Sequence, residues 1–173
     1  FSYLLHYQRG IMKKSFTHFT KSGDAHMVDI YGKDITERMA VASGKIYMSN
    51  ASIEMVRDGT HKKGDVLGIA RIAGITASKK TPDLIPLCHN ISLDSSEINF
   101  RLLEEELEIV SIVQSEEKTG VEMEALTAVT ISALTIYDMV KGVDKSVYIK
   151  DIFLLEKKGG KTGDYKKKES IKK

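Results

Sequence analysis

Residues 121–143, VEMEALTAVTISALTIYDMVKGV, decide the fold. They are rich in Ala, Leu, Ile and Val and free of breakers until Gly142, which predicts a helix of about six turns. A helix this apolar is expected to lie buried along one side of a sheet. After it, residues 147–155 read as a strand that leads into a glycine- and lysine-rich tail. Before it, 96–103 (SEINFRLL) and 107–114 (LEIVSIVQ) alternate as two strands joined by an acidic turn.

Further upstream, Pro82 and Pro86 predict an extended, irregular stretch through His89. Val66, Ile69, Ala70, Ala73 and Ala77 form the stripe of an amphipathic helix over 65–80. A short helix over 51–57 is expected, with Asn50 or Ser52 as its cap and Asp58-Gly59 as its stop. Residues 25–31 and 38–48 alternate as strands, with Gly44 marking a bulge or turn. These elements do not alternate regularly as βαβ units. The fold class expected is therefore α+β, with helices packed on a mainly antiparallel sheet.

The 173 residues suit one domain, or two very small ones. Apolar residues make up 42% and charged residues 29%, enough to form a core and too few charges for a disordered polyelectrolyte. Residues 1–14 read as an N-terminal extension, disordered or added, outside a domain spanning 15–164. A single cysteine excludes an internal disulfide framework and a multi-cysteine metal site within one chain. With no apolar run near the roughly 18 residues of a membrane span and no secretory pattern, a cytoplasmic protein without membrane contact is expected. The net charge of +2 conceals +6 on residues 157–173, which leaves −4 on the preceding 156. Basic charge gathered at the terminus reads as solvated, with 165–173 a lysine-rich, flexible tail, and few aromatics and an acidic body argue against nucleic acid.

Four ionisable residues stand out on the long helix: Glu122, Glu124, Asp138 and Lys141. Asp138 and Lys141 are three apart and can pair, either as an ordinary surface ion pair or as a functional one. Asp138 lies among apolar neighbours, so partial burial would raise its pKa while Lys141 opposes the rise. Glu124 is 14 residues earlier, within about 40° in azimuth but roughly 21 Å away along the axis. One small reaction centre cannot use both ends of such a helix, so a large ligand or a second subunit is required. His89, on the proline-held loop, is either structural or solvated, as a lone loop histidine usually is, or suited to proton transfer or phosphate contact. His61-Lys62-Lys63-Gly64 places basic groups before a helix N-terminus, either a setting for an anion or an ordinary solvated charge cluster. Gly159-Gly160, flanked by Lys157, Lys158 and Lys161, could wrap a polyphosphate. The residues alone indicate an acid–base enzyme, or a binder, for a phosphate-rich small molecule.

Longer motifs add to this. His26-Met-Val-Asp29, Lys63-Gly-Asp65, Ala70-Arg-Ile-Ala-Gly74, Leu84-Ile-Pro-Leu-Cys-His89, Lys118-Thr-Gly-Val-Glu-Met-Glu-Ala-Leu-Thr127, Ala133-Leu-Thr-Ile-Tyr-Asp-Met139 and Gly159-Gly-Lys-Thr-Gly-Asp164 occur in order. Together they resemble the molybdenum cofactor biosynthesis protein C family, the cyclic pyranopterin monophosphate synthases. The resemblance implies a lyase that converts a cyclised dihydro-GTP into cyclic pyranopterin monophosphate and diphosphate. It also implies a ferredoxin-like domain in a homohexamer, a trimer of dimers, with the active site between subunits. On the matching positions it makes Asp138, Lys141 and Lys63 catalytic. Leu87, Cys88, His89, Met123, Glu124 and Glu122 would contact substrate, and Lys157 and Lys161 would hold the triphosphate. No resident cofactor or metal is implied beyond Mg²⁺ that could accompany the triphosphate. Lysines in acid–base roles are expected to have depressed pKa values.

Overall fold

A computed structural model describes residues 22, 24–161 and 163–168. The elements run β1 (Thr36–Tyr47), α1 (Asn50–Arg57), α2 (Val66–Lys79), α3 (Thr81–Leu84), β2 (Ser95–Leu102), β3 (Glu106–Glu117), α4 (Glu122–Val140), β4 (Tyr148–Lys158) and β5 (Tyr165–Lys166). The five strands form one antiparallel sheet in the order β2-β3-β1-β4-β5. The α+β expectation therefore holds. The extension predicted over 1–14 lies outside the described residues.

Period-2 alternation builds the sheet. Along β3, Leu107, Ile109 and Val113 point into the core while their neighbours are less buried. Ala40, Ala42 and Ile46 of β1 and Ile98 of β2 complete the inner face. Helix α4 lies across it and buries Ala125, Ala128, Val129, Ala133, Ile136 and Val140. By length and composition α4 could cross a membrane, but here it is the core helix of the sheet. At Gly44 the register of β1 against β4 shifts, as the sequence predicted. A Cβ there would stand 2.5 Å from Val129 Cγ1, so the glycine lets α4 approach the strand.

Helix α2 packs beside α4, where Gly74 faces Ser132, Ala128 and Ile98. Its N-cap is Asp65, whose carboxylate accepts the Gly68 N–H at 2.8 Å. The stripe is Val66, Ala70, Gly74 and Ala77, whereas Ile69 is exposed. Helix α1 is capped by Ser49 rather than by Asn50 or Ser52. Ser52 is buried and donates to Asp144 at 3.0 Å, and the Ser49 N–H donates to the same carboxylate at 2.7 Å.

Three local expectations are corrected. Residues 25–31 form no strand beyond a single bridge at Ala25. The Asp29 side chain accepts the Tyr31 N–H at 2.8 Å, a turn that competes with strand pairing. Thr81–Leu84 is one helical turn, tolerated because Pro82 occupies the first turn, where no N–H is needed. The last strand runs on to Lys158, and Tyr165–Lys166 returns to pair with Glu156 and Lys157, so the tail does not leave the sheet at 165.

Candidate active site

The first turn of α4 lies between two adjoining hollows. One, of about 480 Å³, is lined by Leu87, Cys88, His89, Glu122, Met123 and Glu124, and is closed on one side by Val28 and Ile30. His89 is held by the irregular 26–30 segment, with Nε2 donating to the Val28 carbonyl at 2.7 Å. Glu124 is buried, with 4% of its surface exposed. Burial pushes its carboxyl up to about 7, and the charge of Glu122 adds to the rise. Burial also raises the Cys88 thiol, and the Glu124 carboxylate beside it contributes. A proton-exchanging carboxyl and an imidazole thus share one hollow.

The second hollow, of about 910 Å³, shares Lys33, Thr119, Gly120 and Glu122 with the first. Its walls carry Lys33, Arg38, Lys118, Lys157, Lys158 and Lys161. Lys157 is oriented by Glu122, Nζ to Oε1 at 3.3 Å. Arg38 Nε donates to the Glu117 carbonyl at 3.0 Å. Gly159 and Gly160 have φ of +83° and +91°, and a Cβ on them would strike the Glu37 carbonyl and the Arg38 guanidinium. The chain can follow this path only as glycine. Cations around turning backbone amides make a site for a polyanion.

Asp138, Lys141 and Lys63 gather at the opposite end of α4. Lys141 Nζ lies 2.7 Å from Asp138 Oδ1, and Lys63 Nζ lies 3.7 Å from Oδ2 and donates to the Asp138 carbonyl at 2.9 Å. The expected partial burial is corrected here: the Asp138 side chain is 63% exposed. Its hydrogen bond and charge attraction to Lys141, aided by Lys63, lower its pKa. The Lys141 ammonium is raised by the same pairing, opposite to the depressed lysine expected. In this single chain the three groups form a solvated ion cluster, because little apolar surface covers them.

The structure thus brings together Leu87, Cys88, His89, Glu122, Met123 and Glu124, and beside them Lys157 and Lys161. It keeps Asp138, Lys141 and Lys63 apart, at the far end of a helix whose rise from Glu124 is roughly 21 Å. Sequence reasoning did not single out Lys33 and Arg38. Arg38 sits in a strand whose alternation explains it without function, and Lys33 lies in an irregular segment. Lys118 was visible only as part of a longer motif. Among the described residues, no group of three or more His, Cys, Asp or Glu converges as metal ligands would.

An α+β sheet domain with a polyanion groove beside a titrating carboxyl has the features of an enzyme acting on a phosphorylated small molecule. Residues 27–160 match the MoaC family, and the chain belongs to that family. It is 54% identical over 156 residues to the cyclic pyranopterin monophosphate synthase of Peptoclostridium acidaminophilum, covering 90% of this chain and 99% of the relative. The enzyme of the same name from Heliobacterium modesticaldum is 53% identical, with 88% and 98% covered. That from Clostridium acetobutylicum is 49% identical, with 90% and 98% covered.

Proposed function

We propose that the chain is a cyclic pyranopterin monophosphate synthase, a phosphorus–oxygen lyase of molybdenum cofactor biosynthesis. Its substrate is a cyclised dihydro-GTP, and its products are cyclic pyranopterin monophosphate and diphosphate. The observation that carries this reading is the near-full-length match to synthases at about half identity, which spans both hollows and the Asp138 cluster.

Lys157 and Lys161 hold the triphosphate on the Gly159-Gly160 turn and offset its charge. His89, Cys88, Leu87, Met123, Glu122 and Glu124 receive the guanine-derived part. Asp138, Lys141 and Lys63 act as the acid–base groups that open the imidazole ring and support rebuilding of the pterin. A ribose-derived hydroxyl attacks the α-phosphate, forming the cyclic ester as diphosphate leaves. There is no resident cofactor in this scheme, and Mg²⁺ enters, if at all, with the triphosphate.

The distance between the two ends of α4 supports a site shared between subunits, in a homohexamer built as a trimer of dimers. Ile69 and Ile72 on α2, and Leu134 and Tyr137 on α4, leave apolar surface exposed for such contacts. In that assembly the partner would cover the Asp138 cluster and desolvate its lysines, lowering their pKa values as proton transfer requires. With α1–α3 as the first crossover and β5 as an added edge strand, the order β-α-β-β-α-β and the strand order β2-β3-β1-β4 support a ferredoxin-like domain. We place the synthase domain at 15–164 and the enzyme in the cytoplasm.

The test is turnover of enzymatically prepared cyclised dihydro-GTP, with diphosphate and pterin followed together by mass spectrometry. Both products from the wild type, and neither from Asp138→Asn, is the expected result. Tight binding with no product would overturn the reading in favour of a nucleotide-binding regulatory module.

A further inference from the structure

The sequence sets His61 among the basic side chains of the 61–64 loop, yet its ring is turned inward, with 6% of the residue exposed. It is therefore not an anion ligand. Nδ1 accepts the backbone N–H of Lys63 at 3.1 Å, and the His61 carbonyl accepts the Gly64 N–H at 2.9 Å. A ring nitrogen that accepts is unprotonated, so the neutral ring carries its hydrogen on Nε2. Nε2 is buried and has no hydrogen-bond partner among the described residues.

A buried N–H without a partner weakens a fold, and an apolar side chain of similar size would pack there without that cost. Among the described residues, the hydrogen bond that the ring makes goes to the backbone of the residue whose ammonium reaches Asp138. Lys62, Lys63, Gly64 and Asp65 are all exposed, so little packing holds the loop itself. We propose that His61 is a positioning residue for Lys63: its buried ring anchors the loop and, through Nδ1, sets the backbone from which the Lys63 ammonium reaches Asp138. The proposal rests on the catalytic reading of Lys63. Misplacement of a catalytic group by an ångström slows the chemical step more than it weakens binding.

The test is steady-state turnover of cyclised dihydro-GTP by the full-length chain carrying His61→Asn, His61→Leu or His61→Gln, with melting temperatures alongside. An asparagine at this position can accept the N–H two residues on, as in an Asx turn, and so replaces Nδ1. Leucine has no acceptor, and the glutamine amide is one bond too far out. The expected result is kcat lowered by about tenfold or more in His61→Leu and His61→Gln, with KM little changed. His61→Asn should return to within about threefold of wild type. Wild-type kcat in His61→Gln, or equal losses in His61→Asn and His61→Gln, would overturn the proposal, and this comparison stands even where His61→Leu does not fold. Adding His61→Gln to Lys63→Ala should cost nothing further, because the ring acts through Lys63. Full activity of Lys63→Ala would overturn both the Lys63 assignment and this proposal. An inactive Lys63→Ala beside a fully active His61→Gln would overturn this proposal alone.

Discussion

Lys63 and Asp138 are 75 residues apart in the chain, yet the Lys63 ammonium donates to the Asp138 carbonyl at 2.9 Å and stands 3.7 Å from its carboxylate. The contact ties the loop before α2 to the last turn of α4. It leaves Asp138 paired on one side by Lys63 and on the other by Lys141. Both cations favour the ionised carboxylate, so Asp138 stays charged through the neutral range.

Asp138→Asn should therefore remove activity without loosening the fold. The side chain is mostly exposed and holds no core group. Turnover should fall by about 10²-fold or more, the usual contribution of a positioned acid–base group. Circular dichroism melts should overlay those of the wild type.

Glu124 makes stability depend on pH. Its folded pKa of about 7 lies above the ordinary 4.5, so between these values the folded chain holds a proton that the unfolded chain has lost. Stability should therefore fall as pH rises from about 4.5 to 7 and then level off, with a total effect of at most about 3 kcal/mol. Glu124→Gln should flatten that slope, gaining on the wild type at pH 8 and not at pH 4.5. Urea melts of both proteins across this range are the check.

Lys157→Ala should weaken substrate binding more than chemistry. It removes a cation from the polyanion groove and frees Glu122, which the lysine now pairs with at 3.3 Å. KM for the triphosphate substrate should rise about tenfold, with a smaller change in kcat. Raising salt should raise the wild-type KM more than that of the variant, because fewer charge contacts remain to be screened.

Gly74→Ala tests the packing of α2 on α4. The new methyl would meet Ile98, the Ser132 hydroxyl and, at 2.9 Å, the Ala128 carbonyl. Backbone cannot retreat as a flexible side chain can, so a loss of about 1–3 kcal/mol is expected. Chemical denaturation at fixed pH measures it.

Much of the framework was legible in local pattern. The breaker-free run over 121–143 announced α4, and the alternation of 107–114 announced β3. Asp58-Gly59 ended α1 where expected, and Gly44 marked the bulge. These signals survive in sequence because helix and strand periods, and turn chemistry, act within a few residues. Residues 25–31 show the limit: their alternation mimics a strand, but the Asp29 turn and the Val28 carbonyl bonded to His89 hold them against the hollow that His89 and Glu124 line.

By itself the sequence determined the α+β class, the buried central helix, the glycine-lysine turn and the family. Tertiary structure alone decided that Lys157 belongs to β4 and faces Glu122, that Arg38 and Lys33 join its groove, and that Asp138 is exposed while His61 is buried. Which face of an element is covered depends on partners tens of residues away. Local periodicity can say that a face exists, but only the packing of α2, α4 and the sheet determines what covers it.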